Sequence, residues 1–157
     1  MDTATRKPRI VIMGEWTAAG LKLDCPNYEC SGITELWKRL RGFLGRTESL
    51  GDGYGISLPL PGAARGNCYW AVVRLQPGDA LPAGLDSLAL PARRFAVFPF
   101  HDHPSRLPAA FGEIFTHRLL AAGLHPDPHW LTLEHYPPDW YDEAAQKVRC
   151  DLHVAIS

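Results

Sequence analysis

The segment Trp130–Trp140, which reads W-L-T-L-E-H-Y-P-P-D-W, places one carboxylate among several aromatic side chains. Its first part, Trp130–Tyr136, is predicted to be a strand, in which successive side chains point to opposite faces. One face then carries Leu131, Leu133 and His135, and the other carries Trp130, Thr132, Glu134 and Tyr136. A carboxylate between aromatic rings is suited to a cationic or polar aromatic ligand, through charge pairing and cation–π attraction. The alternative is a solvated strand face with one ordinary surface glutamate.

Two histidine pairs, His101/His103 and His125/His129, have a spacing that metal ligands use. No carboxylate or thiol is clearly placed to complete a site around either pair, so we interpret them as surface loop residues. Neither a phosphate-binding glycine loop nor a nucleophile motif is present. The sequence therefore predicts no metal and no cofactor.

The composition is that of an ordinary globular protein. The 157 residues suffice for one domain or two fused half-domains, and the net charge of −1 gives no electrostatic case for nucleic acid or an anionic membrane. No apolar run is long enough to span a membrane, and the first residues lack the apolar core of a signal peptide.

The four cysteines do not suggest a disulfide framework in a chain of this size. Cys25 and Cys30 have no second Cys or His pair beside them, and we interpret them as free thiols. A cytoplasmic protein with reduced thiols is the simplest interpretation.

The first half of the chain is predicted to supply strands around one amphipathic helix. A short apolar strand at Arg9–Met13 can extend past a bend into Glu15–Leu23. Apolar residues at helical spacing follow, namely Ile33, Leu36, Trp37, Leu40, Phe43 and Leu44. Two further strands are expected at Tyr54–Pro59 and Cys68–Leu75, and the second is apolar on both faces, which favours a central position in a sheet.

The second half repeats this order. The Pro- and Gly-containing connection Gln76–Leu85 is the best boundary, and Leu88–Phe100 is predicted to be a strand with a break at Pro91. A second helix is expected from about residue 106 to residue 122. After the Glu134 strand, Lys147–Ile156 alternates cleanly between apolar and polar residues and predicts a final strand.

The predicted fold class is therefore α+β, with tandem β-α-β-β units that form one antiparallel sheet. The two halves, about 9–76 and 86–157, would be related by a pseudo-two-fold axis within a single domain, 1–157. The repeat is one of pattern and not of residue identity. Both helices are expected on one face of the sheet, and a concave ligand groove is expected on the other.

Six short motifs occur in a fixed order along nearly the whole chain. In the first half they are I-T-E-L-W-K-R-L at Ile33–Leu40 and Y-W-A-V-V at Tyr69–Val73. In the second half they are R-R-F-A-V-F-P-F at Arg93–Phe100, A-F-G-E-I-F-T-H-R-L-L-A-A-G at Ala110–Gly123, L-E-H-Y at Leu133–Tyr136 and the closing strand Cys150–Ile156. This series resembles the GyrI-like effector-binding family, whose fold senses ligands in several multidrug-responsive transcription regulators and also occurs alone.

The resemblance implies the tandem β-α-β-β architecture and assigns Glu134 as the pocket carboxylate that meets cationic aromatic compounds in relatives. Two segments depart from the family pattern: H-D-H-P at His101–Pro104 replaces its usual turn, and C-P-N-Y-E-C at Cys25–Cys30 matches no family motif. The sequence shows no helix-turn-helix, so we expect a stand-alone member that does not bind nucleic acid directly.

The candidate ligand-binding residues are Glu134, Tyr136, Trp70, Trp130 and Phe98. Trp70 lies on a central strand, where it either faces Glu134 across the groove or belongs to the core. Phe98 contacts either the groove or the helix layer. Trp37 is on the inner stripe of the first helix and is assigned to the core.

Three functions fit these features. The main hypothesis is a cytoplasmic protein that senses or sequesters hydrophobic, aromatic or cationic small molecules, with no membrane association. The alternative is a hydrolase with Glu134 as the general base. Some stand-alone members of the family resemble hydrolases that open strained cyclopropane rings in reactive compounds. The third is a protein–protein role, such as inhibition of a topoisomerase.

Overall fold

An antiparallel sheet of nine strands runs through the part of the chain described by the computed structural model, residues 7–45, 51–62, 65–129 and 131–157. The strands are β1 (Arg9–Met13), β2 (Trp16–Pro26), β3 (Gly53–Pro59), β4 (Gly66–Leu75), β5 (Asp86–Leu90), β6 (Arg93–Asp102), β7 (Thr132–Tyr136), β8 (Tyr141–Asp142) and β9 (Lys147–Ala155). Their order across the sheet is β1-β6-β9-β7-β3-β4-β2-β5, and β8 pairs with β9.

Two helices pack on this sheet. The first, α1 (Ile33–Leu44), buries Leu36 and Leu40, and Gly45 ends it in the left-handed conformation with φ 66°. The second helix begins with a 3₁₀ turn and continues through α2 (Leu107–Glu113), a π-helical segment (Ile114–Arg118) and α3 (Leu119–Ala121). The α+β class with two helices on one antiparallel sheet is thus confirmed.

The middle of the sheet is the antiparallel pair β3 and β7, one strand from each half of the sequence. On either side of this pair the strand order is mirrored. The edge strands are exchanged, because β1 precedes β2 in the chain but pairs with β6, and β5 precedes β6 but pairs with β2. The predicted strand 88–100 is therefore two strands at opposite ends of the sheet, β5 at one edge and β6 beside the edge strand β1.

Both helices lie on the same face of the sheet. Leu36 and Leu40 of α1 pack on Tyr69 and Ala71 of β4, and Ile114 of the second helix packs in a cluster with strand residues of the same face. Glu134 faces this side, because it is in register with Gly55 and Leu152, whereas Leu133 on the opposite face is in register with Ile56.

The opposite face is filled by its own side chains. Its buried cluster includes Trp16, Ile56, Trp70, Phe95 and Leu133. The expectation of a concave ligand groove on this face is wrong, because apolar and aromatic side chains occupy it. The large cavity lies on the helix-bearing face instead. In the described part of the chain, no helix is both long enough and apolar enough to cross a membrane.

Candidate ligand-binding site

A cavity of about 1310 Å³ lies on the helix-bearing face, with one wall from each helix and a floor from the central strands. The lining residues of α1 and the loop before it are Tyr28, Cys30, Ile33, Thr34, Trp37 and Arg41. Those of the second helix are Pro104, Leu107, Pro108, Phe111, Gly112 and Phe115. The floor includes Ser57, Asn67, Tyr69, Thr132, Glu134 and Tyr136. The volume is sufficient for an organic ligand of drug size.

Glu134 is near the centre of this floor. It stands on β7 between Thr132 and Tyr136, which point to the same side because side chains alternate along a strand. Its partner in the register is Gly55 on β3. The hydrophobic layers under α1 and under the second helix lie on either side, so the carboxylate is held in an apolar surrounding.

One oxygen of Glu134 is held by two tyrosines. Tyr136 donates a hydrogen bond to Oε1 at 2.7 Å, and Tyr69 donates a second at 3.3 Å. The indole Nε1 of Trp37 donates to the Tyr69 hydroxyl at 3.1 Å and thereby orients it. Among the described residues, none donates a hydrogen bond to Oε2. Because Glu134 lines the cavity, Oε2 is the oxygen available to a ligand.

Gly55 leaves room for the Glu134 carboxylate next to the β3 backbone. A Cβ atom at this position would lie 3.0 Å from Oε1 of Glu134 and would collide with the Tyr69 hydroxyl. Glycine is ordinarily unfavourable within a strand, and such a position indicates that another group approaches the backbone closely. Here that group is the hydrogen-bonded pair of Tyr69 and Glu134.

Burial sets the protonation behaviour of this cluster. It raises the pKa of Glu134 above the usual 4.5, and the hydrogen bonds from Tyr136 and Tyr69 act in the opposite direction. Burial and the nearby Glu134 charge raise the pKa of Tyr69 and of Tyr136 well above 10.0. The two tyrosines therefore remain neutral hydrogen-bond donors around a carboxylate whose charge is costly without a counterion.

Aromatic rings surround the carboxylate. The ring of Trp37 meets that of Tyr136 edge-on at a centroid distance of 5.7 Å, and Trp140 meets Tyr136 edge-on at 6.1 Å. Both tryptophans line the cavity, together with Phe111 and Phe115 of the second helix. Aromatic rings grouped around a carboxylate suit a cation with apolar or aromatic substituents.

Among the described residues, the other charged ones that line the cavity are Asp127 and Arg41, and neither competes with Glu134 for a cationic ligand. Asp127 forms an ion pair with Arg93, which neutralises it within the protein. Arg41 stands in the last turn of α1, where a cation interacts favourably with the carbonyl end of the helix. Glu134 is thus the acidic group on the described cavity surface that lacks a cationic partner.

The predicted site residues have different locations. Glu134 and Tyr136 line the cavity together. Trp70 is in register with Ile56 on the opposite face, so the alternative in which it faces Glu134 is wrong and the core alternative is correct. Phe98 is fully buried beneath the second helix, so it belongs to the helix layer and not to the groove. Trp130 lies outside the described residues.

Sequence pattern alone does not reveal two residues of the network. The apolar stripe of α1 predicts a core position for Trp37, yet Trp37 lines the cavity and donates a hydrogen bond to Tyr69. Tyr69 lies in a strand that is apolar on both faces, which gave no signal of a polar role. Its alternation with Trp70 was the available clue, since only one of the two can share a face with α1.

Cys25 and Cys30 form a disulfide in the structure, so their interpretation as free thiols is wrong. Pro26 and the positive-φ residues Asn27 and Tyr28 between them turn the chain back and bring the two sulfurs together. Cys30 lines the cavity, so the disulfide lies beside the site, shortly before the start of α1.

Among the described residues, no group of three or more His, Cys, Asp or Glu side chains could hold a metal ion.

The sequence matches the family model described as the GyrI-like small molecule binding domain over residues 6–157. No functionally curated protein matches the chain in sequence.

Solved structures share the fold across nearly the whole chain. SAV2435, in a structure bound to tetraphenylphosphonium, is 16% identical with a TM-score of 0.75, covering 97% of this chain and 94% of that one. A protein from Staphylococcus aureus MU50 that is described as a bacterial transcription regulation protein is 15% identical with a TM-score of 0.70. The match covers 96% of this chain and 98% of that one. The EcmrR C-terminal domain is 7% identical with a TM-score of 0.61 and coverage of 96% and 97%. At these identities the likeness establishes the fold.

Proposed function

Because the chain belongs to the GyrI-like small-molecule-binding family, we propose that it binds cationic, largely aromatic compounds in the cavity between its two helices. Glu134 supplies the negative charge, and Trp37, Tyr136 and Trp140 supply ring faces. Such binding would serve to sense or to sequester these compounds.

The observation that carries this proposal is the state of the Glu134 carboxylate. One oxygen is fixed by Tyr69 and Tyr136, and the other has no partner among the described residues. A half-satisfied carboxylate in an apolar cavity is costly, and a bound cation removes that cost by pairing with it. A neutral apolar ligand would fill the volume but leave the charge uncompensated.

The tetraphenylphosphonium bound to SAV2435 supports the choice of ligand class, because it is a cation surrounded by aromatic rings. Such an ion cannot donate a hydrogen bond, so its recognition depends on charge attraction and ring contact. The cavity offers both, with a carboxylate on the floor and aromatic residues along the walls.

Tetraphenylphosphonium and tetraphenylborate provide a matched test, because they have nearly the same shape and opposite charge. Trp37 and Trp140 line the cavity, so intrinsic tryptophan fluorescence reports occupancy. We expect saturable quenching by the phosphonium and none by the borate at the same concentrations. Equal binding of both ions would show that shape alone determines recognition, and absence of phosphonium binding would refute the proposal.

A second candidate function, hydrolysis of a strained ring, is favoured by one feature of the same carboxylate. Burial raises the pKa of Glu134 toward the range in which a general base is effective at neutral pH. Oε2 would take a proton from water while the oxygen of that water bonds to a cyclopropane carbon and the ring C–C bond breaks. The electron pair of the broken bond would then take up the proton from the carboxyl group, which regenerates the carboxylate. Mass spectrometry of a reactive cyclopropane compound after incubation tests this. A product heavier by one water, lost in Glu134→Gln, supports the enzyme, and an unchanged compound excludes it for that substrate.

A further inference from the structure

A second group of polar side chains lies on the cavity floor beside the carboxylate. It consists of Ser57 on β3, Asn67 on β4 and Thr132 on β7, and all three line the cavity. Ser57 is in register with Thr132, so the two hydroxyls are on neighbouring strands of the same face. None of the three is charged, and each is both a donor and an acceptor of hydrogen bonds. We call this group the neutral polar patch.

These polar groups face the cavity and form few hydrogen bonds within the described part of the protein. Asn67 and Thr132 are each only 8% exposed. Among the described residues, the Thr132 hydroxyl has no hydrogen-bond partner, and the Asn67 amide has one long bond, 3.4 Å to the Ser57 hydroxyl. Cys30 Sγ lies 3.6 Å from Asn67 Oδ1, but a disulfide sulfur carries no proton to donate.

Polar side chains in folded proteins nearly always have hydrogen-bond partners, either from the protein or from ordered water. The hydroxyl and amide groups of the neutral polar patch are reached from the cavity, so water or a ligand provides the partners that the described residues do not. A ligand group that reproduces these hydrogen bonds can displace such water, and the patch lies within reach of the Glu134 carboxylate.

The distance between the Glu134 carboxylate and the neutral polar patch constrains the geometry of the ligand. Thr132 and Glu134 are two residues apart on β7 and point to the same side. Because a strand rises about 3.3 Å per residue, their Cα atoms are roughly 6–7 Å apart. A rigid ligand can therefore engage the carboxylate and the neutral polar patch together if its cationic centre and a polar substituent have a similar separation.

We propose that the neutral polar patch is a specificity subsite, and that the preferred ligands are aromatic cations bearing a hydroxyl or amide about 6–7 Å from the charge. This inference rests on the proposed function, since it assigns a second contact to the ligand held by Glu134. The apolar cation alone would bind through charge and ring contacts. The substituted cation would add hydrogen bonds to Ser57, Asn67 and Thr132.

A pair of probes tests the subsite directly: tetraphenylphosphonium and the same ion carrying one para-hydroxymethyl group. In the wild type, we expect the hydroxymethyl ion to bind about threefold to tenfold more tightly, the gain typical of one or two hydrogen bonds. In the Ser57→Ala/Thr132→Val variant, the ratio of the two affinities falls to about onefold, and this ratio is the readout because both residues line the cavity. Calorimetric titration measures all four affinities.

Two further variants separate the subsite from the carboxylate. Thr17→Val makes the same substitution at an exposed position of β2 outside the cavity, and should leave the preference intact. Glu134→Gln should weaken both ions by the same factor and also preserve the preference. Thermal unfolding of each variant confirms that it is folded.

The result that overturns the subsite is a preference that is absent in the wild type, or that persists in the double variant, while both ions still bind. If neither ion binds to the wild type, the proposed function itself fails and the subsite inference fails with it. The two failures are thus distinguishable by whether tetraphenylphosphonium binds at all.

Discussion

Glu134 is subject to opposing requirements from stability and from binding. Its charged form is costly in an apolar surrounding, as the raised pKa reflects, although Tyr69 and Tyr136 stabilise it by hydrogen bonds. The same uncompensated charge is what a cationic ligand would neutralise. Residues that serve binding in this way often lower the stability of the unoccupied protein.

We therefore predict that Glu134→Gln stabilises the ligand-free protein at pH 8 and does so much less at pH 4. Because the pKa of Glu134 is raised in the folded state, the folded protein holds its proton while the unfolded chain releases it, so wild-type stability falls as pH rises above 4.5. Glutamine has no such dependence. Each 1 kcal/mol gained should raise Tm by roughly 2–4 °C in a domain of this size.

Thermal unfolding of the two proteins at both pH values measures the effect. Glu113→Gln, at an exposed position of the second helix outside the cavity, is the matched control and should show no pH-dependent gain. A Glu134→Gln variant that is less stable than wild type at pH 8 would show that the carboxylate stabilises the fold and is not poised for a ligand.

At the residue scale, the sequence predicted the groups on β7 but not their partners. Glu134 and Tyr136 could be assigned because strand alternation fixes which side chains share a face. Trp37 and Tyr69 belong to elements whose apolar patterns predict burial, and a buried aromatic residue has the same pattern whether it fills a core or lines a cavity. The distinction depends on the separation of the two helices, which no local pattern encodes.

At the scale of elements, the contact between a β4 and a β7 side chain, Tyr69 and Glu134, across the backbone of β3 determines where the carboxylate is held. Gly55 allows Tyr69 and Glu134 to meet above the β3 backbone. Substitution with a larger residue must displace one of them, although alanine in a strand interior is otherwise more favourable than glycine.

We predict that Gly55→Ala lowers tetraphenylphosphonium affinity by at least about tenfold, since the oriented carboxylate contact is worth roughly 1.4 kcal/mol or more. It should also lower Tm. Gly42→Ala is the control, because nothing lies within 4 Å of its added Cβ and the position is within α1, where alanine is preferred. Unchanged affinity in Gly55→Ala would mean that the Tyr69–Glu134 arrangement does not define the site.

The elements themselves were predicted well where one pattern dominated. The periodicity of α1 and the alternation of β9 place both close to their observed bounds. The sequence predicts one interrupted strand over Leu88–Phe100, because Pro91 marks a break but does not reveal that the chain crosses from one end of the sheet to the other. Strand pairing is a long-range property, so an edge exchange leaves no local signal.

At the scale of the whole molecule, the exchange of β1 and β5 links the two halves of the sequence. Each half contributes an edge strand to the other, and β3 and β7 join them at the centre. The two halves 9–76 and 86–157 remain a prediction as repeat units, and we propose that neither is an independent folding unit.

Fragments 9–76 and 86–157 test this proposal. Each fragment alone would leave unpaired strand edges and half of the cavity open, so we expect neither to unfold cooperatively. An equimolar mixture should recover a cooperative transition and tetraphenylphosphonium binding, because the exchanged strands can pair between fragments. Cooperative unfolding of either fragment alone, measured by circular dichroism, would contradict the proposal.

At this scale, the sequence pattern predicts the cavity on the wrong face of the sheet. Two helices on one side of a sheet suggested that the free side would bind the ligand. The opposite face instead buries Trp16, Trp70 and Phe95 among its own residues, while the two helices stand apart over β3 and β7. Whether a face is open or filled depends on sheet curvature and side-chain packing, which the sequence pattern does not contain.

The central claim is that the Glu134 carboxylate holds a cation between the two helices. Calorimetric titration of tetraphenylphosphonium into wild type, Glu134→Gln and the exposed control Glu113→Gln at pH 8 tests it most directly. We predict that Glu134→Gln weakens binding by about tenfold to a hundredfold, the contribution expected of a charge contact in an apolar site, while Glu113→Gln binds as the wild type does. Equal affinity in wild type and Glu134→Gln would contradict the account.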